Sequence, residues 1–141
     1  IRKVMTVSHI LVPYDGTDKS DQAFDEALKI TKKYSCTLSV VTCFFQGYQK
    51  PFGRVDYILD EHIVLTKKKK LEEKAKIENV SFSHHVIEAL NIVGVILAFA
   101  EENNVDMIIM GSQKRQGFKK LIQGSISEEI QKYAKCIVKI I

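Results

Sequence analysis

The sequence predicts an α/β domain: an open, mostly parallel sheet of five strands with helices on both faces. Three observations predict it. Short apolar runs rich in β-branched residues alternate with longer segments whose apolar residues recur every three or four positions. The strand-like runs are apolar almost throughout, the pattern of strands covered on both faces. Turn clusters such as Tyr14-Asp15-Gly16-Thr17 punctuate the change from one kind of segment to the other.

His9 to Pro13 (HILVP) is the first strand, stopped by that turn cluster. Asp18 to Tyr34 follows as a helix, with Ala23, Phe24, Ala27, Leu28 and Thr31 on one face. Leu38 to Phe45 is β-branched and aromatic, a buried strand. Asp60 to Glu78 is rich in lysine and glutamate and carries a narrow stripe of Ile63, Val64, Leu71 and Ala75, which predicts a solvent-facing helix. Its run Lys67 to Lys70 is soon followed by Glu72 and Glu73, so it reads as an exposed helical face in preference to a nucleic-acid patch. Ser81 to Ile87 is the third strand. Asn91 to Asn103 is a helix with Ile92, Ile96, Phe99 and Ala100 on its apolar face. Asp106 to Met110 is the fourth strand, Ser125 to Lys135 the last helix and Cys136 to Ile141 the last strand. With no internal repeat, residues 1–141 read as one domain. Crossovers in such a sheet are right-handed, and a ligand sits at the carboxyl ends of the strands, where strand order reverses.

Composition narrows the class. Of 141 residues, 45% are hydrophobic and 27% charged, an ordinary globular balance. No apolar run approaches the roughly 20 residues of a membrane-spanning helix. Ile1 to Val7, with Arg2 and Lys3, does not read as a signal peptide. Cys36, Cys43 and Cys136 are odd in number and form no CxxC pair, so buried thiols in a reducing cytoplasm are expected. Charge is uneven: Gly111 to Ile141 holds seven cations against two anions, a local +5 that leaves −1 for the first 110 residues of a chain at +4. That excess suits either an anionic partner or a solvated basic face.

The chemistry-bearing stretch follows the fourth strand. Gly111 ends that strand where the backbone turns, and Gly124-Ser125 opens a helix whose free N–H groups and dipole favour an anion. Ser125 and Glu128 also fit the S-x-x-E capping box. The residues alone leave two readings open, a phosphate site or a helix cap preceded by turns. Gln46 to Asp56, with Gly47, Pro51 and Gly53 around Tyr48 and Phe52, reads as a lid over the pocket or as a plain surface loop. His84 and His85 are strand neighbours that point to opposite faces, so no metal site is expected there. No nucleophile elbow, P-loop or HExxH helix is present in the sequence.

VPYDGT (Val12 to Thr17) followed by an amphipathic helix, together with MGS (Met110 to Ser112) and GSISEEI (Gly124 to Ile130) before an apolar strand, resembles the universal stress protein family over essentially the whole chain. The resemblance implies a Rossmann-like fold of the adenine nucleotide alpha hydrolase kind. It also implies a regulatory protein of the stress response that binds ATP or AMP, with Mg as a companion ion, and that is not an enzyme beyond slow ATP hydrolysis. The nucleotide-binding branch carries G-x2-G-x9-G-[ST]; here Gly111 and Gly124-Ser125 keep their places and Lys114 replaces the middle glycine. Either the Lys114 side chain blocks the phosphates, leaving an interaction module of the same fold, or its ammonium holds them, aided by Arg115 and Lys119. By the same resemblance Asp15, with Pro13 and Tyr14 beside it, serves the adenine or ribose end. The backbone at Cys43 reads the adenine edge, and Ala89-Leu90-Asn91 lines the pocket. Gly111, Ser112, Lys114, Gly124, Ser125 and Ile126 serve the phosphates. Cys136 to Ile141 is implied to form a homodimer, with no nucleic acid and no membrane as partner. A ligase or an electron-transfer flavoprotein domain of the same class is the enzyme alternative.

Overall fold

Ile10, Leu11 and Val12 are wholly buried because their strand, β1 (His9–Pro13), is the middle one of five. The computed structural model describes residues 7–44, 61–112 and 126–141, with the backbone alone at Phe44 and at 61–64. After β1 come α1 (Asp18–Tyr34), β2 (Thr37–Phe44), α2 (Glu61–Ile77), β3 (Ser81–Glu88), α3 (Ile92–Glu102), β4 (Met107–Met110), α4 (Ile126–Tyr133) and β5 (Ile137–Ile140). Every predicted element is present, with ends displaced by no more than two residues. The segment Gln46 to Asp56, read as a lid or loop, lies outside the described residues.

The sheet runs β3-β2-β1-β4-β5, and each neighbouring pair is parallel. It is therefore wholly parallel, one step beyond the mostly parallel sheet expected. Strand alternation divides the core. Ile10, Val12, Leu38 and Val40 face Phe24 of α1 and Leu71 of α2. Leu11, Val41 and Ile108 face Ile96 of α3 and Ile130 of α4. Right-handed crossovers place α1 and α2 on one face because strand order moves outward from β1 to β3. The chain then crosses back to β4, which puts α3 and α4 on the other face.

Helix α1 forms where its sequence prescribes. Ala23, Phe24, Ala27, Leu28 and Thr31 are all buried, Thr17 accepts a bond from the Ser20 N–H as N-cap, and Asp18 and Asp21 occupy the positive first turn. Asp106 ties the start of β1 to β4. Its Oδ2 accepts from Ser8 N–H at 2.7 Å, Ser8 Oγ at 2.6 Å and His9 N–H at 2.8 Å. The Ser8 hydroxyl is the main reason its carboxyl stays below the usual range.

His84 and His85 diverge as strand neighbours must. His85 packs on the Phe99 ring of α3 at 5.0 Å, whereas His84 lies under the other helical layer, edge-on to Tyr14 at 6.5 Å. The His84 Nε2 meets Thr42 Oγ1 at 2.8 Å, while its buried Nδ1 has no hydrogen-bond partner among the described residues. Burial, reinforced by Lys68, pushes this imidazole down to about 4. The folded state thus resists a proton that the unfolded chain accepts near the ordinary histidine value, so stability falls as pH drops from about 6.5 to about 4. Replacing His84 by Gln removes this loss. In urea unfolding at a series of pH values, wild type should lose roughly 2 kcal/mol relative to His84→Gln across that interval, with solvent screening included. An unchanged difference would contradict the assignment.

Candidate functional site

Strand order reverses between β1 and β4, and in open α/β sheets ligands bind at the carboxyl ends of the strands beside such a reversal. One wall is the turn after β1. Asp15 Oδ1 accepts from the Thr17 N–H at 3.0 Å and the Thr17 hydroxyl at 2.6 Å, an Asx turn that carries the chain into the capped start of α1. Gly16, at φ +83°, supplies the left-handed residue the turn needs. Behind it, Lys67 of α2 donates to the Gly16 carbonyl at 3.4 Å.

The opposite wall begins at Gly111. A Cβ there would stand 2.6 Å from the Lys19 carbonyl carbon and 2.7 Å from its oxygen. The sequence suggested a glycine kept for the approach of a ligand; the structure shows that the close neighbour is the backbone of α1. Ser112 follows, and its N–H donates to the Ile141 carbonyl at 3.1 Å, extending the pairing of β4 with the strand beside it.

The expected site residues take distinct places around these strand ends. Pro13 is buried as the last residue of β1. The Tyr14 ring is buried and its hydroxyl donates to Asp21 Oδ1 at 2.5 Å, so it braces α1 from below while its N–H bonds the Val41 carbonyl. Burial, with that Asp21 bond, pushes the phenol far above its ordinary value. Asp15 is half-buried in the turn after β1, and Ile126 is half-buried at the start of α4. Cys43 lies near the end of β2 on the α3–α4 face, where burial pushes its thiol up to about 11, so it is an apolar wall and not a nucleophile. Asn91 caps α3 by accepting from the Gly94 N–H at 3.0 Å. Beside it Ala89 is buried and Leu90 is 87% exposed. Lys114, Arg115, Lys119, Gly124 and Ser125 lie outside the described residues.

Sequence reasoning missed Lys67 and the engagement of the Ser112 N–H, because both depend on partners distant in the chain. Of the run Lys67 to Lys70, the first two side chains are half-buried and the last two exposed, an amphipathic helix edge rather than one flat basic face. Among the described residues, no group of three or more His, Cys, Asp or Glu side chains converges on a possible metal position. Nor is any described helix long and apolar enough to cross a membrane.

The model of the universal stress protein family matches residues 6–141. The chain belongs to the universal stress protein family. A universal stress protein of Methanocaldococcus jannaschii is 26% identical over 140 residues, which are 94% of this chain and 80% of that one. Among solved structures, a universal stress protein in complex with cAMP superposes with a TM-score of 0.75 at 19% identity, covering 96% of this chain and 97% of its own. A universal stress protein family protein of Arabidopsis thaliana with AMP bound gives 0.67 at 15% identity, covering 95% and 90%. These likenesses establish the fold as the α/β architecture of the solved universal stress proteins. The Gly111 contact then makes a stability forecast. Gly111→Ala should cost about 1–3 kcal/mol in chemical denaturation, because the new methyl meets backbone that cannot swing away. A neutral substitution would show that α1 is not seated against β4 as described.

Proposed function

We propose that this universal stress protein is an adenine-nucleotide-binding regulatory protein, with ATP or AMP held across the carboxyl ends of β1 and β4. The observation that carries the reading is the reversal of strand order between β1 and β4, with the Asp15 turn on one side of it and Gly111 on the other. The cAMP and AMP complexes of like fold support the ligand class. In this reading Asp15 serves the ribose or base, with Pro13 and Tyr14 fixing its place, and the backbone at Cys43 reads the adenine edge. Gly111, Gly124, Ser125, Ile126 and Lys114 attend the phosphates, with Mg as companion to ATP.

The protein is read as non-catalytic, since it acts by shifting populations between conformations rather than by turnover. It works in the cytoplasm as a homodimer joined through Cys136 to Ile141. Support for that interface is the position of β5 at one edge of the sheet, where Ile137 is 41% exposed. One observation favours a second reading, an interaction module without nucleotide. The Ser112 N–H, a donor wanted for phosphate, already bonds Ile141.

Calorimetric titration with AMP, ATP and ATP–Mg separates the two readings. Heat of binding is expected with the wild type. Asp15→Asn keeps an oxygen for the Thr17 bonds while removing the charge, and should weaken binding at least about tenfold, the equivalent of a charge-assisted hydrogen bond. Absence of heat with all three ligands would leave the interaction module.

A further inference from the structure

Four polar side chains form a continuous hydrogen-bonded line across the face of the sheet that carries α3. The His9 Nδ1 lies 2.9 Å from the Asn103 carbonyl oxygen at the end of α3. Its Nε2 lies 2.7 Å from Ser39 Oγ. Ser39 Oγ is 3.1 Å from Ser83 Oγ, and Ser83 Oγ is 3.1 Å from His85 Nε2. Parallel register aligns the serines, since Ser39 stands opposite Ser83, and puts His9 opposite Thr37, two residues before Ser39. The ends differ in access: His85 is exposed on an edge strand, whereas His9 is half-buried on the central strand.

A carbonyl oxygen only accepts, so His9 Nδ1 must carry a hydrogen in the neutral protein. Its Nε2 is then a lone pair, and every other bond is determined. Ser39 donates to His9, Ser83 donates to Ser39, and His85 donates from Nε2–H to Ser83. One carbonyl at the end of α3 thereby orients the whole line.

We propose that this line is a proton relay, through which a proton taken from water by exposed His85 is delivered to His9 beneath α3. The proton binds at His85 Nδ1. The Nε2 proton of His85 passes to Ser83, the Ser83 hydroxyl proton passes to Ser39, and the Ser39 hydroxyl proton passes to His9 Nε2. His85 ends neutral with its hydrogen on Nδ1, both serines end as hydroxyls, and His9 ends with both nitrogens protonated. One proton has entered, all inter-residue bonds have reversed, and the His9 bond to Asn103 is retained.

The Asp106 carboxylate beside β4 interacts with His9, and the Asn103 carbonyl belongs to the negative end of α3. Facing His85 is the Phe99 ring of α3. Both histidines touch α3, one at its carboxyl end and one at Phe99, so the relay joins two of the contacts that helix makes with the sheet.

Long-range proton–nitrogen NMR spectra of the labelled imidazoles, taken from about pH 8 to about pH 5, test the relay. Near pH 8, His9 should show the Nδ1–H tautomer and His85 the Nε2–H tautomer. As His9 becomes doubly protonated, His85 should change to Nδ1–H at the same midpoint. Ser39→Ala, or Ser83→Ala if the first does not fold, should abolish that coincidence, and Ser39→Thr should restore it. Three results would overturn the proposal: His9 found as Nε2–H near pH 8, His85 keeping the proton while His9 stays neutral, or coupling that survives removal of the serine hydroxyl.

Discussion

The seating of Gly111 against the Lys19 backbone is the constraint on which the architecture at the carboxyl ends of β1 and β4 depends. A separation of 2.6 Å from the Lys19 carbonyl carbon to an added Cβ leaves no room for any side chain. Because the first turn of α1 rests there, the Asp15 turn and the end of β4 are held as two walls of fixed spacing. Tyr14 works on the same joint from beneath, with its N–H bonded to the Val41 carbonyl and its hydroxyl to Asp21 of α1. The spacing of these two walls is therefore a consequence of backbone packing.

That architecture divides the molecule along the strand direction. At the carboxyl ends, turns and helix starts present polar backbone, the condition for holding an anionic ligand. At the amino ends, Asp106 gathers Ser8 and His9, and the histidine–serine line extends from His9 beneath α3. Helix α3 spans both ends, with Asn91 capping its start and the Asn103 carbonyl orienting the line at its finish. A change in how α3 sits on the sheet therefore reaches both ends.

Much of this was legible in the sequence, and the rest for physical reasons was not. The α1 face was readable because the spacing of Ala23, Phe24, Ala27 and Leu28 is local, and the Asp15-Gly16-Thr17 turn because each residue type has a specific backbone role. Divergence of His84 and His85 follows from the pleat alone. By contrast, the contact of Gly111 with Lys19, the Lys67 bond to Gly16 and the Ser112 bond to Ile141 join segments far apart in the chain. No local pattern announces them. Ser39 and Ser83 read singly as small polar residues in apolar strands; only the parallel register places them opposite one another. Family resemblance suggested ligand roles for Cys43 and Gly111, and the structure gives a packing reason for each.

The central claim concerns where an adenine nucleotide would sit, and amide NMR shifts during titration with AMP measure that most directly. The account predicts progressive shifts at Asp15 to Thr17, Cys43, Gly111 and Ser112, while Ser8, Asn103 and Asp106 at the opposite end move little. Shifts confined to the amino ends of the strands, or no shifts at saturating AMP, would contradict it.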